Sequence, residues 1–554
     1  NNLSGYWRFG TQNDFYANNP RNFDVAYSNV SGDPKPAARF KAAQLGFYAQ
    51  DEVQFNNKFR LTYGLRLDVP VINEKPAYNK IVDSTFKGAY STSNIPTGQL
   101  LWSPRIGFNY DVEGDRKVIV RGGIGIFSGR TPFVWVSNQF TNSGTLLSTI
   151  SATSNINGGK GFEPDVAKQS SLGGTLGRTF ETNLIATDFK FPQVLRLNLA
   201  TDLRLPGGIQ ATLEGIYSKT LNNVLYQDVN LAPPVGVVDP AYNNGADKRP
   251  AYSASTNAGG RRLNPNITGA YLISNTNKGY TYNLTAQLSK TWKHVFASVA
   301  YNHNDAADVN SGASSTAGSN WRFVQISNNP NNPPLATSNY ALTHRIISVV
   351  ALNFDYAKYF KTSLAFFYSA NSGQKFSYIV NGDPNLDGSS NGNDLIYVPR
   401  NASEIRFVDF LNSDNSIRFT AAQQAAAFED FVSKDKYLNG RRGNYTERNA
   451  SNTPWEHILD MRLAQDFIVT TGDTRHAFQL TFDVFNFTNL LSNNWGRQYS
   501  VGNQSYSILS LINRTTGPVA SQGKGYNFPV GQTPWNMGFG SRFQGQIGLR
   551  YSFN

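Results

Sequence analysis

The feature that most constrains this chain is a strict two-residue alternation sustained over segments of ten to twelve residues. Leu195, Leu197, Leu199, Leu203 and Leu205 alternate with Arg196, Asn198, Asp202 and Arg204. Phe59, Leu61, Tyr63, Leu65, Leu67 and Val69 alternate with Lys58, Arg60, Thr62, Arg66 and Asp68. Phe478, Leu480, Phe482 and Val484 alternate with Gln479, Thr481 and Asp483, and the closing stretch FQGQIGLRYSF repeats the pattern. A strand sends successive side chains to opposite faces, so each segment has one apolar and one polar wall. Strands of soluble sandwiches usually run about 5–6 residues. Segments of this length match a tilted crossing of hydrocarbon, and a membrane-spanning β-barrel carries this alternation along its whole length.

The segments come in six pairs with short joints. They are Gln44–Phe55 with Lys58–Val69, Arg105–Val112 with Lys117–Phe127, and Val194–Leu205 with Ile209–Ser218. Tyr280–Lys290 with Lys293–Asn302, Arg345–Asp355 with Phe360–Ser369, and Glu456–Phe467 with His476–Phe487 complete the set. Several joints hold the Asn, Gly, Asp and Pro that tight turns require. Between pairs run long polar connections, an arrangement suspect in a compact soluble domain and ordinary for a barrel with short periplasmic turns and long external loops. With a first strand at Leu3–Phe9 and a last at Phe543–Phe553, the expected fold is an all-β, antiparallel up-and-down transmembrane barrel with fourteen visible strands. Residues 1–554 read as one barrel domain, with a large external loop at 372–454 carrying a short helix over Ala421–Tyr437.

Composition supports this and excludes other classes. Charged residues make up 16% of the chain and aromatics 13%, against roughly a quarter charged in an average soluble domain. A mean hydropathy of −0.41 is compatible with a barrel, whose lumen and loops are polar. No apolar run is long enough for a transmembrane helix. Cysteine is absent, which excludes disulfides and thiolate-bound zinc. The net charge of +12 is dispersed, with no basic run longer than Arg261-Arg262 or Arg441-Arg442, so no nucleic-acid partner is expected. No HExxH, GxSxG or Walker loop occurs, and the chain reads as a non-enzyme. The opening NNLSGYWRFG lacks the basic start and apolar core of a signal peptide.

Four stretches carry a resemblance to a known family. They are LGFYAQDEVQFNNKFRLTYGLRLDVP (Leu45–Pro70), GDPNLDGSSNGNDLIYVPR (Gly382–Arg400), YLNGRRGNYTERNASNTPWEHILDMRLAQDF (Tyr437–Phe467), and FDVFNFTNLL (Phe482–Leu491) with the aromatic C-terminus. Together they resemble a TonB-dependent outer-membrane receptor, specifically the Oar-like branch of Bacteroidota. The resemblance implies a bacterial outer-membrane location among lipids and a larger barrel of 22 strands. It also implies a plug domain in the lumen and a TonB-contacting segment, both expected upstream of Asn1 together with the missing strands. Energised import or surface handling of a bulky solute follows from the same resemblance. The alternatives are a non-transporting scaffold with a surface lipoprotein or other assembly partner, and a passive channel.

Three sets of candidate site residues emerge. Alternation puts Arg60, Arg66, Asp68, Arg121, Arg196, Asp202, Arg204, Asp483 and Arg550 on the lumen side, where such charges require water or polar partners. Asp383, Asn385, Asp387, Ser389, Asn391 and Asp394 fall at positions 1, 3, 5, 7, 9 and 12 of a twelve-residue loop with Gly388 at position 6. That is the spacing of a calcium loop, and a structural Ca²⁺ is its implied cofactor. Pro384, Asp in place of Glu at position 12 and the lack of flanking helices depart from it, and an Asn/Gly-rich surface loop is the alternative. No cofactor is otherwise required. Trp135, Trp321, Trp495 and Trp535 mark the loop aromatics, suited either to gripping a solute or to packing the loops and lining the membrane edge.

Overall fold

The computed structural model describes residues 5–152, 161–169, 179–254, 260–389, 392–514 and 520–553. Its main feature is one antiparallel sheet of thirteen consecutive staves. They are β1 (Ala42–Gln54), β2 (Phe59–Ile72), β3 (Leu101–Asp111), β4 (Val118–Ser128), β5 (Gln193–Leu205) and β6 (Ile209–Asp228). Then follow β7 (Gly279–Thr291), β8 (Val295–Asp308), β9 (His344–Tyr356), β10 (Phe360–Asn371), β11 (Glu456–Thr471), β12 (Thr474–Phe485) and β13 (Gln544–Phe553). Each stave pairs with its neighbours in the sequence order of the staves, the up-and-down topology that short joints dictate. Among the described residues no helix is long and apolar enough to cross a membrane, so strands are the only candidate spanning elements.

Thirteen staves rather than fourteen is a correction. The segment expected to open the barrel is a strand only at Tyr6–Arg8, and it pairs with Asn22–Ser28. That strand in turn pairs with Leu147–Ala152, making a small separate sheet. Leu3 lies outside the described residues. The alternation of this stretch is real but too short for a crossing of about 9–11 residues, and Phe23 and Val25 give it a local apolar partner instead.

Two staves exceed their expected ends. β6 runs twenty residues, and its last part, Asn223–Asp228, leaves the wall to pair with Ile267–Thr276. Val224 and Tyr226 continue the alternation there, but they are buried among loop residues. β11 reaches Thr471, leaving only Gly472 and Asp473 as the turn before β12. Ile468, Val469 and Thr470 keep pairing because β-branched residues suit the ladder.

The described hydrophobic clusters lie largely in the layer of long connections. The largest gathers Tyr242, Phe376, Tyr378, Ile396, Phe407, Phe428, Val432, Ile508 and Tyr526 from three connections. A four-stranded sheet of Ser451–Asn452, Lys375–Asn381, Ser505–Arg514 and Gly523–Asn527 frames this cluster. Helix α1 (Ala421–Lys434) closes it. α1 starts at a capping box, in which Thr420 accepts from the Gln423 N–H and Gln423 accepts from the Thr420 N–H. It presents Phe428 and Val432, both fully buried, to the cluster. It ends three residues short of the expected Tyr437, because Asp435 turns extended and caps the next short helix, Lys436–Gly440.

Candidate functional site

The wall is the first part of the site. Register fixes which side chains share a face. Arg60 lies opposite Asn109, Asn109 opposite Arg121, Arg121 opposite Ala200, and Ala200 opposite Glu214. Continuing the same rungs through Thr285, Asn302, Arg345, Asn371 and Glu456 brings the count to Arg462, Asp483 and Gln546. All nine charged residues picked out by alternation, from Arg60 to Arg550, therefore stand on one face of the sheet.

On that face the charges pair across rungs. Asp68, almost fully buried, receives Arg66 through two nitrogens at 2.7 Å and the Gln44 amide at 3.2 Å. Arg121 bridges Asp202 at 3.0 Å and Glu214 at 3.4 Å, and Thr212 donates to Asp202 at 2.7 Å. Arg462 faces Asp483 at 3.6 Å, and Gln479, opposite Arg550, donates to Asp466 at 2.7 Å. Among the described residues the opposite face carries no such ladder but Leu199, Leu213, Leu284, Phe482, Leu480, Ile547 and Leu549, all exposed.

Rings rim the apolar face at both ends. At the long-loop end Tyr301 and Tyr368 contact His344 and His457 at 2.8 Å, with Trp455 stacked between the two imidazoles. At the short-turn end stand Trp292, Tyr356, Tyr359, Tyr551 and Phe553. His303 sits on this apolar face, packed beside His344. His294 lies in the turn before β8 and stacks on Phe354.

The second part is the loop layer on the long-connection side. It contains a polar cavity of about 560 Å³ bordered by Asn310, Asn320, Gln325, Asn339, Gln374 and Arg448 among others. Arg448 is held rigidly by Asp308 at 2.7 Å and by the Val309 carbonyl at 3.1 Å. Amides and a fixed guanidinium suit hydrogen bonding to a polar solute.

The expected calcium loop lies beside this cavity and is buried rather than wet. Asn385, Asp387, Ser389 and Asp394 are at most 2% exposed, and Asn391 lies outside the described residues. Burial raises the carboxyls of Asp383, to about 6, and of Asp387 and Asp394. Among the described residues no three acidic or imidazole groups already converge as a ready-made metal set. Asp394 instead gives one oxygen to Arg249 at 3.0 Å, whose Nε donates to Asp247 at 2.8 Å. Nothing in the local sequence marked Arg249: its partner is distant in the chain, and an isolated DKR triplet has no periodicity to read.

The loop aromatics divide. Trp321 is buried against Tyr271, with its indole N–H donating to Asn331 at 2.8 Å. Trp135 packs on Phe189, and Trp535 packs on Tyr499. Only Trp495 of the four is largely exposed. Trp321 is thus chiefly a core residue of the layer.

Asp228 ends β6 beyond the wall and titrates usefully. Burial pushes its carboxyl up to about 6, although the Asn230 and Ala270 N–H groups donate to it at 3.0 Å. Folding thus favours the neutral form. The stabilisation is full below the ordinary value of 3.8 and is lost as pH rises through about 6. Asp228→Asn is expected to stabilise the layer near pH 7.5 by on the order of 2 kcal/mol and to leave it unchanged near pH 4. Hydrogen exchange of Ile267–Thr276 at the two pH values measures this.

The Outer membrane beta barrel domain family matches residues 2–508. The chain belongs to this family. It is accordingly a multi-pass β-barrel of the bacterial outer membrane, and its apolar face is the one that can meet lipid. The rings at both rims of that face are the aromatic girdles of such barrels. The barrel is also similar in fold to solved outer-membrane proteins. These include the outer membrane transporter YddB from Escherichia coli, at 10% identity and a TM-score of 0.40 over 84% of this chain and 46% of that one. The ferric enterobactin receptor PfeA from Pseudomonas aeruginosa aligns at 10% identity and a TM-score of 0.39, over 96% and 49%. The siderophore receptor PirA from Acinetobacter baumannii aligns at 11% and 0.37, over 85% and 48%. The barrel chain spans about half the length of these structures. Comparison with curated proteins gives no match.

Proposed function

We propose that this barrel is the wall and external loop layer of a TonB-dependent receptor that imports a bulky polar solute. The observation that carries the reading is the charged ladder. Nine ionic residues and their partners on one face, opposite lipid, need water or a polar plug beside them. The sheet geometry supports a larger assembly. β1 and β13 have no strand on their outer edges among the described residues, and both run in the same direction because eleven alternating staves lie between them. Unpaired edges are not tolerated in lipid, and antiparallel closure requires an odd number of added strands. The 22 strands implied by the family resemblance correspond to nine added strands, rather than the eight that a count of fourteen requires. The amide-rich cavity of about 560 Å³ then receives the solute before the lumen does.

The test is to isolate the native protein from outer membranes and assay two properties together. The expected result is a closed barrel in planar bilayers that binds the periplasmic domain of TonB. An open, steady conductance without TonB binding replaces the reading with a passive channel.

A further inference from the structure

The loop Asp383–Asp394 has a chemistry that import does not use. Its backbone is curled around the first carboxylate: the Asp387 and Gly388 N–H groups donate to Asp383 at 3.0 and 2.9 Å. Gly388 takes a φ of +100°, with the Arg261 guanidinium lying over the place a side chain would fill. Asn385 and Ser389 are drawn in by Asp387, which accepts from the Asn385 amide at 3.1 Å and the Ser389 N–H at 2.8 Å.

A second observation is a pair of buried acceptors without protein partners. Asp394 is fully buried and uses only Oδ1, on Arg249, while its Oδ2 has no hydrogen-bond partner. Asn393, equally buried, donates its amide to Asp387 at 3.2 Å and leaves its Oδ1 without a partner. Asp394 also lies near enough to Asp387 and Asp383 to feel both charges. Buried acceptors left unfilled carry a desolvation penalty of about 1–3 kcal/mol each, more when charged. Asp394 shares Arg249 with Asp247, and Arg261 lies beside Asp383 and Asp387, with Arg262 and Arg322 bordering the adjoining cavity.

We propose that this loop binds one hard divalent cation of calcium size, taking oxygens from Asp383, Asn385, Asp387, Asn393 and Asp394. The donor set is all oxygen, with no sulfur or imidazole, which selects calcium over zinc or copper. Five protein oxygens, three of them from carboxylates, leave little room for the several waters that magnesium keeps, and so favour calcium. A cation bound there would screen the mutual repulsion of Asp383, Asp387 and Asp394. Its effect is mechanical. Asn385 accepts the Tyr252 N–H at 2.8 Å, Asn393 accepts the Ile326 N–H at 2.8 Å, and Ser389 donates to the Arg322 carbonyl at 2.7 Å. One ion therefore pins three long connections, those at 229–278, 309–343 and 372–455, into a single layer. The proposal is independent of the import reading, since a scaffold or channel needs the same layer.

The test uses the protein purified from outer membranes in detergent and stripped with a chelator. Calorimetric titration with Ca²⁺ is expected to show one saturable site with a Kd of about 10⁻⁴–10⁻³ M or tighter, as in extracellular calcium modules. Ca²⁺, and not Mg²⁺, is expected to slow trypsin cleavage in the loop layer at least tenfold. The double variant Asp383→Asn with Asp387→Asn is expected to lose both effects while keeping the heat-modifiable gel mobility of a folded wall. Terbium alone, added to the unaltered protein, gives an independent readout: aromatic-sensitised emission displaced by Ca²⁺ supports the site. No saturable uptake by the unaltered protein up to about 10 mM overturns the proposal. Unchanged uptake in the double variant overturns it equally.

Discussion

Leu199→Arg is expected to destabilise the barrel by about 2–4 kcal/mol, whereas Asn198→Arg one residue away is expected to be nearly neutral. Leu199 sits near the middle of β5 on the apolar face, opposite Gly122 and Gly215, with 59% of its surface exposed. In water that exposure is unfavourable; in lipid it is what the side chain requires. An arginine there must pull its charge through hydrocarbon or thin the bilayer around it. Asn198 belongs to the charged face, where an added guanidinium meets polar neighbours. Denaturant unfolding of both variants in lipid vesicles measures the difference. Equal destabilisation by the two would mean that the faces are not distinct.

Phe428→Ala is expected to cost about 3–5 kcal/mol, confined to the loop layer. Phe428 is fully buried and packs edge-on to Phe528 and tilted on Phe407, tying α1 to two other parts of the layer. Its removal leaves a cavity that neighbouring strands cannot fill, because the four-stranded sheet beneath is fixed by its own ladder. Hydrogen exchange is expected to rise throughout α1 and Ser505–Arg514 while protection of β10 and β11 persists. Loss of protection in those staves would show that layer and wall unfold as one unit.

What the sequence made legible follows from where each signal lives. The staves were readable because alternation is local and most staves carry it over more residues than a soluble strand needs, although β9 interrupts it with Ile347, Val349 and Ala351 on the charged face. The charged face was readable for the same reason: parity alone assigns Arg60, Arg121 and Asp483 to one side. Length was the discriminator that Leu3–Phe9 failed, since a few alternating residues satisfy a three-residue strand as readily as a stave. The over-run of β6 was hidden because Val224 and Tyr226 look the same to periodicity whether they face lipid or a loop cluster. The loop layer was largely illegible. Asp383–Asp394 announced itself by spacing, but its burial depends on Tyr252, Arg249 and Ile326, which arrive from other connections. Trp321 read as a loop aromatic, and only its neighbours Tyr271 and Asn331 show that it is core.

The absence of cysteine makes the two faces of the wall directly measurable by cysteine labelling. Single cysteines placed along β5 in native outer membranes can be challenged with a small water-soluble maleimide and with a lipid-soluble one. Arg196→Cys, Asn198→Cys and Asp202→Cys are expected to react with the water-soluble reagent. Leu197→Cys, Leu199→Cys and Leu203→Cys are predicted to react only with the lipid-soluble one. Equal reaction of both sets with the water-soluble reagent, or a reversed alternation, would contradict a membrane wall with its charges turned inward.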